Sequence, residues 1–433
     1  MSDANVTRIS SLYLHVPFCA QKCAYCAFYS EPSSGDLVNR YVAALIREME
    51  IGANDLQPET IFFGGGTPSL LNLRQWEKIL RAMEKLNLLG ARPVGTTCRS
   101  SETAQQRSPT EFEFTVECNP ATISSDKAKL LRDFGVNRIS LGVQSLDEKL
   151  LDRLGRIHTR KMVFKSFDLL RQAGFDNLNL DLMFAIPGQT MDDWRATLNE
   201  ALALGTEHLS CYEVIYEDDT PLFAQLQAAE FEVDEDLACA MYDELIERAT
   251  AVGFQQYEIA NFARDKRIAD CRLPIANSDW PDRSPAEEIG NWKLEVGNPQ
   301  FACKHNVNYW RGGSFYGLGP SATSYVRGVR TKNWANTQLY CEQLEKGNRA
   351  IESREELPPL KRAGETAAFG LRMTAGWPFE EFRRTTNLDL RREWSAEMNQ
   401  LAERGWGEIS SDHFRLTSQG LRFADAAAEL FLR

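Results

Sequence analysis

The 433-residue sequence has no apolar run near the roughly 20 residues that a helix needs to cross a bilayer. Its first residues, Met1–Val6, lack the apolar stretch of a secretion signal, and its ten scattered cysteines favour a reducing compartment. We therefore expect a cytoplasmic protein without a membrane span. An excess of positive charge is also missing, since 49 Lys and Arg against 61 Asp and Glu give a net charge of −12. This balance argues against broad contact with nucleic acid or anionic lipid.

The sequence also lacks a second pair of closely spaced cysteines that would complete a zinc site. Cys19, Cys23 and Cys26 form a CxxxCxxC pattern directly after the strand-like run Leu12–Pro17. Half a zinc site and a thioredoxin-like redox pair remain alternatives, although a redox pair does not need Cys19. Three thiolates on one loop fit three irons of a [4Fe–4S] cluster and leave the fourth iron open. The loop resembles that of radical S-adenosylmethionine (radical SAM) enzymes, in which SAM binds the open iron.

Strand-like and helix-like segments alternate along the first 260 residues. Six β-then-α units imply a parallel sheet with helices outside, and right-handed crossovers curl such a sheet. Six units are too few for an eight-stranded barrel, so we predict an α/β fold, a partial (β/α)6 barrel with ligands at the carboxyl ends of its strands. The predicted strands are Leu12–Val16, Thr60–Phe63, Glu111–Glu117, Arg138–Val143, Asn179–Ala185 and His208–Tyr212. The predicted helices are Asp36–Ile51, Arg74–Leu88, Ser125–Phe134, Lys161–Ala173 and Asp192–Ala203.

Two segments interrupt this alternation. Gly90–Pro109, rich in Ser, Thr and Arg, is predicted to be a surface insertion, and Ala263–Cys303 a longer one within a connecting region, 261–352. The last part, 353–433, has helical patterns and a hairpin-like stretch, Glu408–Thr417, before a final helix. Helices followed by such a β-wing indicate a winged-helix-like C-terminal domain.

Polar and glycine-rich motifs follow successive predicted strands, at the end where a barrel binds its ligands. The glycines of the turn Gly64–Ser69 let a ligand approach the backbone, although a tight turn would also need them. Glu117 ends the third strand, where it can accept hydrogen bonds from ribose hydroxyls or be a solvated rim charge. Gln144 and Arg156 follow the fourth strand, and Asp181 is flanked by leucines, where an unpaired carboxylate is costly to bury. Because these residues all lie near the carboxyl ends of successive strands, the sequence predicts that they form one ligand-binding site.

Several motifs occur in a telling order: YLHVPFC from Tyr13, then GGGTPS, ECNP, GVQS, RLGRIHT and LDLMFAIPGQT. In this order they resemble the oxygen-independent coproporphyrinogen III oxidase family of radical SAM proteins, closely over about residues 11–260 and more loosely beyond. The resemblance implies that Cys19, Cys23 and Cys26 hold the cluster. It further implies that SAM is surrounded by Tyr13, Tyr25, Gly65, Gly66, Thr67, Glu117, Gln144, Arg156 and Asp181.

The chain departs at one position from the dehydrogenase of this family, whose loop resembles CxxxCxxCxC. Phe28 stands where the further cysteine would be, which resembles the heme chaperone branch. The HNxxYW motif agrees, because that branch is thought to use it for heme; a structural turn with core aromatics is the alternative. Imidazole can ligate iron, and the heme residues implied are His305, Asn306, Tyr309 and Trp310. Since the motif follows the predicted barrel, we expect heme to bind away from the cluster loop, with Cys303 as an alternative ligand.

The resemblance implies a heme chaperone that binds a [4Fe–4S] cluster, SAM and heme and delivers heme to apo-hemoproteins of the respiratory chain. An electron donor such as a flavodoxin or ferredoxin would reduce the cluster. One rival function is that of coproporphyrinogen dehydrogenase, in which a SAM-derived radical removes hydrogen from a propionate side chain before decarboxylation. The other rival is nucleic-acid binding by the C-terminal domain, which net acidity disfavours and in which Arg383, Arg384, Arg391 and Arg392 alternate with acids. Whether SAM is cleaved stays open.

Overall fold

The computed structural model describes residues 8–90, 112–265 and 298–432. The two predicted insertions, Gly90–Pro109 and Ala263–Cys303, therefore lie almost entirely outside the described residues. None of the described helices is both long and apolar enough to span a membrane.

A nine-stranded sheet forms the centre of the protein, and six of its strands are parallel neighbours in chain order. These six are the strands predicted from the sequence, so the partial (β/α)6 barrel is confirmed. They are β1 Ile9–Val16, β2 Leu56–Gly65, β3 Glu113–Cys118, β4 Arg138–Gln144, β5 Leu178–Phe184 and β6 His208–Glu213.

Helices follow the strands and cover the outer face of the sheet. Two of them begin with reciprocal capping boxes, in which Asn72 and Gln75 start one helix and Thr190 and Asp193 another. The helices of this part are α1 Gly35–Gly52, α2 Leu73–Lys85, α3 Ser125–Asp133, α4 Glu148–Arg153, α5 Arg160–Gln172, α6 Met191–Ala203, α7 Pro221–Gln227 and α8 Glu235–Ala251.

The two faces of each barrel strand differ in chemistry, because successive side chains of a strand point to opposite sides. In β4, Ile139, Leu141 and Val143 belong to the large apolar core and are at most 1 % exposed. Burying a side chain of this size stabilises the fold by roughly 1.5–3 kcal/mol. Arg138 and Ser140 alternate with them and line a cavity inside the barrel. The outer face therefore packs the helices, and the inner face carries polar groups.

Three further strands extend the sheet beyond the predicted six. β7 Phe254–Gln256 and β8 Asn261–Arg264 lie antiparallel beyond β6, and β9 Tyr316–Leu318 lies parallel to β1 on its free side. The region interpreted from the sequence as a connection thus supplies strands to the main sheet. The same region forms a small sheet and two helices: β10 Thr323–Val326, β11 Val329–Asn333, β12 Ile351–Glu356, α9 Lys304–Trp310 and α10 Thr337–Glu345.

The C-terminal part has its own apolar core, in which Trp377, Phe382, Trp394 and Phe414 are fully buried. Its antiparallel sheet is built from β13 Trp377–Pro378, β14 Gly407–Ile409 and β15 His413–Leu416, with β15 in the middle. The predicted hairpin is present as β14 and β15. The helices are α11 Pro359–Gly370, α12 Phe379–Thr386, α13 Leu390–Glu393, α14 Ser395–Glu403, α15 Ser418–Arg422 and α16 Ala424–Glu429.

Candidate functional site

The CxxxCxxC loop is fixed at its base and in its middle by backbone hydrogen bonds. Phe18–Cys19 pairs in parallel with Glu31–Pro32, which closes the loop. Ala24, which follows the second cysteine, donates its N–H to the Leu154 carbonyl at 3.0 Å and accepts from the Leu222 N–H at 2.9 Å. The loop is therefore tied to the end of α4 and the start of α7, so its three cysteines have defined positions.

The three thiols of this loop are half-buried and lie close to polar groups. Arg156 Nη1 donates to Cys23 Sγ at 3.4 Å, and Cys19 Sγ lies 3.6 Å from Thr67 Oγ1. Burial raises the pKa of Cys26, with a smaller contribution from the neighbouring Cys23 and Cys19. No three His, Cys, Asp or Glu side chains in the described part of the chain surround one point where a single ion would sit. Three half-buried thiols on one loop can supply one thiolate to each of three irons of a cubane cluster.

The glycine-rich turn lies directly against the cysteine loop. Gly66 and Thr67 donate their N–H groups to the carbonyls of Val16 and Phe18, both at 2.8 Å. A Cβ on Gly66 would lie 2.8 Å from both of these carbonyl oxygens, which is too close. Gly65 has φ +103°, a backbone conformation that glycine tolerates best. The turn therefore needs glycine at both positions in order to lie beside the cluster loop.

A cavity of about 230 Å³ fills the inside of the barrel between the carboxyl-end loops and α9. It brings together seven of the residues predicted for SAM or heme. These are Tyr13, Gly65, Glu117, Asp181, His305, Asn306 and Tyr309. The cavity is smaller than the ~300–1,000 Å³ typical of pockets for drug-sized ligands, so it suits part of a ligand rather than a whole porphyrin.

Two carboxyl groups in the cavity are held in an environment that disfavours charge. Burial, and then the nearby Asp181, raises the pKa of Glu117 to about 8. Burial also raises the pKa of Asp181, although Ser140 Oγ donates to it at 3.0 Å and Asn179 Nδ2 at 2.8 Å. Glu117 is therefore mostly protonated at pH 7 and can donate as well as accept a hydrogen bond.

The other residues predicted for SAM surround the cluster loop rather than the cavity. Arg156 Nη2 donates to the Gly142 carbonyl at 2.7 Å while its Nη1 contacts Cys23. Gln144 has φ +65° at a register shift in β4, so its backbone bends where the strand ends. Tyr25 is half-buried near Arg156 and the cluster thiols. These side chains, with Thr67, form a second group next to the cavity.

The expectation that the HNxxYW motif follows the barrel rather than lying within it is wrong. Its helix, α9, packs into the barrel, and His305 is 1 % exposed, with Nδ1 2.9 Å from Thr60 Oγ1 and Nε2 2.7 Å from the Tyr309 hydroxyl. Glu113, the first residue of β3, accepts from the N–H groups of Lys304 at 2.9 Å and His305 at 3.1 Å. The polar inner face of the barrel needs partners, and α9 supplies them.

The imidazole of His305 is neutral in this position. Burial, and then the positive charge of Arg138, lowers its pKa to about 3. Both ring nitrogens take part in hydrogen bonds, and the ring stacks on Phe62 with centroids 5.2 Å apart. Trp310 lies elsewhere, with its ring 4.9 Å from the Arg372 guanidinium carbon. The motif thus connects the barrel cavity with residues near the C-terminal part.

Sequence reasoning missed part of the cavity wall. Arg138, Ser140, Asn179, Ser210 and Tyr212 line it together with the predicted residues. All five occupy alternate positions in β4, β5 and β6, where apolar residues of the core lie between them. Polar residues at every second position of a strand with an apolar outer face were the signal that would have found them.

We expect Glu117 to make a contribution to the free energy of unfolding that falls as the pH rises from about 4.5 to 8. Its pKa is about 8 in the folded protein against 4.5 in a free side chain, so folding takes up a proton in this window. The contribution of Glu117 to the free energy of unfolding is fully present below pH 4.5 and is lost as the pH rises through about 8. Glu117→Gln should reduce the slope by up to roughly 1.4 kcal/mol per pH unit. Urea unfolding of parent and variant measures this, and equal slopes would contradict it.

Comparison with known proteins gives relatives that match nearly the whole chain. The radical SAM superfamily matches residues 13–201, and the HemN C-terminal domain matches residues 357–423. The chain is 31% identical to the heme chaperone HemW of Bacillus subtilis, over 98% of this chain and 99% of the relative. It is 28% identical to HemW of Escherichia coli, over 98% of each chain. The structure of coproporphyrinogen III oxidase (HemN) from Escherichia coli has a TM-score of 0.74 at 20% identity, covers 98% of this chain and 90% of its own, and shows a shared fold.

The barrel, the cysteine loop beside its glycine-rich turn and the superfamily match define a radical SAM protein. Such proteins carry a [4Fe–4S] cluster and SAM as cofactors, and the cysteine loop described above fits that cluster. Within this superfamily, the chain belongs to the HemW family, to whose Bacillus subtilis member it is similar over its full length. The resemblance inferred from the motifs is thereby confirmed.

Proposed function

We propose that this protein is a heme chaperone, which binds heme and passes it to apo-hemoproteins of the respiratory chain. The observation that carries the proposal is the full-length similarity to proteins named heme chaperone HemW. A structural feature supports it: Phe28, at the position of the dehydrogenase's further cysteine, is 69% exposed and lines the barrel cavity. The mouth of the cavity thus presents an apolar ring where the related enzyme would carry a thiol.

For the cofactors, we propose that Cys19, Cys23 and Cys26 hold the cluster. When bound, the cluster and SAM supply reductive cleavage of SAM to methionine and a 5′-deoxyadenosyl radical. Arg156 would pair with the SAM carboxylate through its planar fork, and the backbone of the glycine-rich turn would accept hydrogen bonds from the amino group. Glu117, protonated at neutral pH, would bind a ribose hydroxyl.

For heme, we propose that His305 ligates the iron, with Asn306, Tyr309 and Trp310 near the ligand. In the present arrangement Nε2 of His305 is held by the Tyr309 hydroxyl, and Nδ1 by hydroxyls of β1 and β2. One of these hydrogen bonds has to be given up before a nitrogen can bind iron. Cys303 is the weaker candidate, because burial, and then the nearby Glu113, raises the pKa of its thiol to about 12 and disfavours the thiolate.

We also propose a cytoplasmic location and a one-electron donor, such as a flavodoxin or ferredoxin. The cysteines in the described part of the chain are free thiols, as a reducing compartment keeps them. Reduction of the cluster needs an external electron, which the chain's own groups do not supply.

A heme titration tests the proposed ligand. On anaerobically reconstituted protein, His305→Ala is expected to bind heme at least roughly tenfold more weakly, since iron loses an axial ligand. Soret absorbance follows the titration, and iron content and urea unfolding show whether cluster and fold remain. Tyr309→Phe, which frees Nε2 without removing the ring, is expected to bind heme at least as tightly as the parent.

Unchanged heme affinity in His305→Ala would remove the histidine from the site. A Soret shift caused by Cys303→Ser alone would assign the ligand to the thiolate instead. The same preparation, given SAM and a reductant, should not convert coproporphyrinogen III. Steady formation of protoporphyrinogen would replace the chaperone proposal with the dehydrogenase.

A further inference from the structure

Arg138 is a charged residue of the barrel interior to which the proposed cofactor sites give no role. It is the first residue of β4, its side chain is 2 % exposed, and it lines the cavity together with Ser140 and Asp181. Strand register places it opposite Thr115 of β3, in the middle of the barrel. Its guanidinium is therefore inside the protein but in contact with the cavity.

The guanidinium lacks partners among the residues that the structure describes. Its Nε is buried and forms no hydrogen bond, and the hydroxyl of the neighbouring Thr115 is likewise buried without a partner. The nearest acidic side chains are already engaged. Glu113 accepts from backbone N–H groups of α9, and Asp181 accepts from Ser140 and Asn179. No ion pair links Arg138 to either carboxylate.

Arg138 nevertheless keeps its charge. Burial lowers its pKa, but Cys303 and Glu113, followed by Tyr257 and Asp181, raise it, and the net shift is upward. A buried cation without a hydrogen-bonded partner is strongly disfavoured, and native proteins keep such groups where a ligand or water completes them. The cavity that the guanidinium faces is the place from which a partner can come.

We propose that Arg138 receives the carboxylate of a ligand that enters the barrel cavity. A guanidinium binds a carboxylate through two parallel hydrogen bonds, and Arg138 has its unpaired donors in a pocket that is also lined by rings, hydroxyls, amides and the carboxyl groups of Glu117 and Asp181. The size of the cavity fits a carboxylate-bearing arm. Heme carries two such arms, its propionates, and this choice of ligand rests on the proposed function.

The proposed carboxylate site at Arg138 is distinct from the surroundings of Arg156. That arginine does not line the cavity, and it donates to Cys23 and to the Gly142 carbonyl. Because Arg156, next to the cluster loop, is proposed to pair with the SAM carboxylate, Arg138 is left for a propionate. Removal of Arg138 should therefore affect the preference for heme over its ester.

The test compares ligands that differ only at the carboxylate. Heme and heme dimethyl ester are titrated by Soret absorbance, and SAM and decarboxylated SAM by equilibrium dialysis, on anaerobic cluster-loaded protein. For the heme pair, the parent is expected to prefer the carboxylate-bearing ligand by roughly 10- to 100-fold, and Arg138→Met is expected to bring this preference near one. The preference for SAM over decarboxylated SAM should stay unchanged in this variant, because the SAM carboxylate is proposed to lie at Arg156. Arg138→Lys, which keeps the charge but loses the fork, should give an intermediate value.

Arg171→Met serves as the matched control, since Arg171 forms a bidentate pair with Glu207 away from the cavity; its two preferences should equal those of the parent. If the preference for heme over its ester is also unchanged in Arg138→Met, or in Arg138→Lys should the methionine variant not fold, the proposal is wrong. A parent that binds no heme overturns the chaperone function and this site with it, whereas a parent that binds heme and its ester equally well overturns this site alone.

Discussion

Replacement of Cys23 by alanine is expected to abolish the iron–sulfur cluster. The parent, purified anaerobically, should be brown and hold about four irons per chain, and the variant should hold almost none. Cys19, Cys23 and Cys26 share one loop, unlike the other cysteines that the structure describes, and each of their thiolates is proposed to bind its own iron. Cys23 is the central one, and Arg156 donates to its sulfur at 3.4 Å. With two thiolates left, the cluster has too few ligands to persist.

Iron analysis, visible absorbance and electron paramagnetic resonance of the reduced protein measure this loss. Cys239→Ala is the matched control, because Cys239 is an exposed thiol on α8, outside the cluster loop. The control should keep its full iron content. A Cys23→Ala variant with the iron and colour of the parent would refute the cluster assignment.

Gly66→Ala is expected to have the second largest effect, a loss of SAM binding together with reduced cluster content. The added Cβ would lie 2.8 Å from the carbonyl oxygens of Val16 and Phe18 and 2.9 Å from the Phe18 nitrogen. These are backbone atoms that cannot rotate away, so the glycine-rich turn has to move off the cysteine loop. Overpacking of this kind costs roughly 1–3 kcal/mol, and we expect SAM affinity to fall at least about tenfold.

Gly35→Ala provides the comparison, because a Cβ at Gly35 meets no atom within 4 Å. Both variants exchange the same hydrogen for the same methyl group, but only one is placed between two loops. Equilibrium dialysis with SAM and thermal unfolding distinguish them. If Gly66→Ala binds SAM like Gly35→Ala, the glycine-rich turn is not part of the SAM site.

The six barrel strands could be predicted because each combines an apolar outer face with a clear break before the next helix. The strand Tyr316–Leu318 could not, since three residues carry no periodic signal. Its pairing with β1 also joins distant parts of the chain, which a local pattern cannot show. For the same reason the motif that follows the barrel in sequence was expected outside it, whereas His305 hydrogen-bonds to Thr60 within it.

The parts of the site that carry a short sequence motif could be predicted, and the parts that carry no motif could not. The CxxxCxxC and GGGTPS motifs are short and unusual and lie one βα unit apart in the sequence. The structure places their loops in contact. Glu117 and Asp181 stood out as acids at strand ends or among leucines, and both line the cavity. For Arg138 and Ser140 the sequence predicts only that they belong to a strand, because a polar residue in a strand normally faces solvent. Both residues are buried because they face the interior of the barrel, and this interior forms only when all its strands have assembled.

The late position of α9 and β9 has a consequence for how the protein is made. Ser11 and His305, whose side chains lie 3.2 Å apart, are 294 residues apart in the chain. A ribosome adding roughly 5–20 residues per second takes about 15–60 s to pass from one to the other. During that time the three cluster cysteines have already been synthesised, but α9 is not yet available to pack against the inner face of the nascent barrel. The polar inner face of the nascent barrel therefore lacks its partners on α9 until residue 305 has been synthesised.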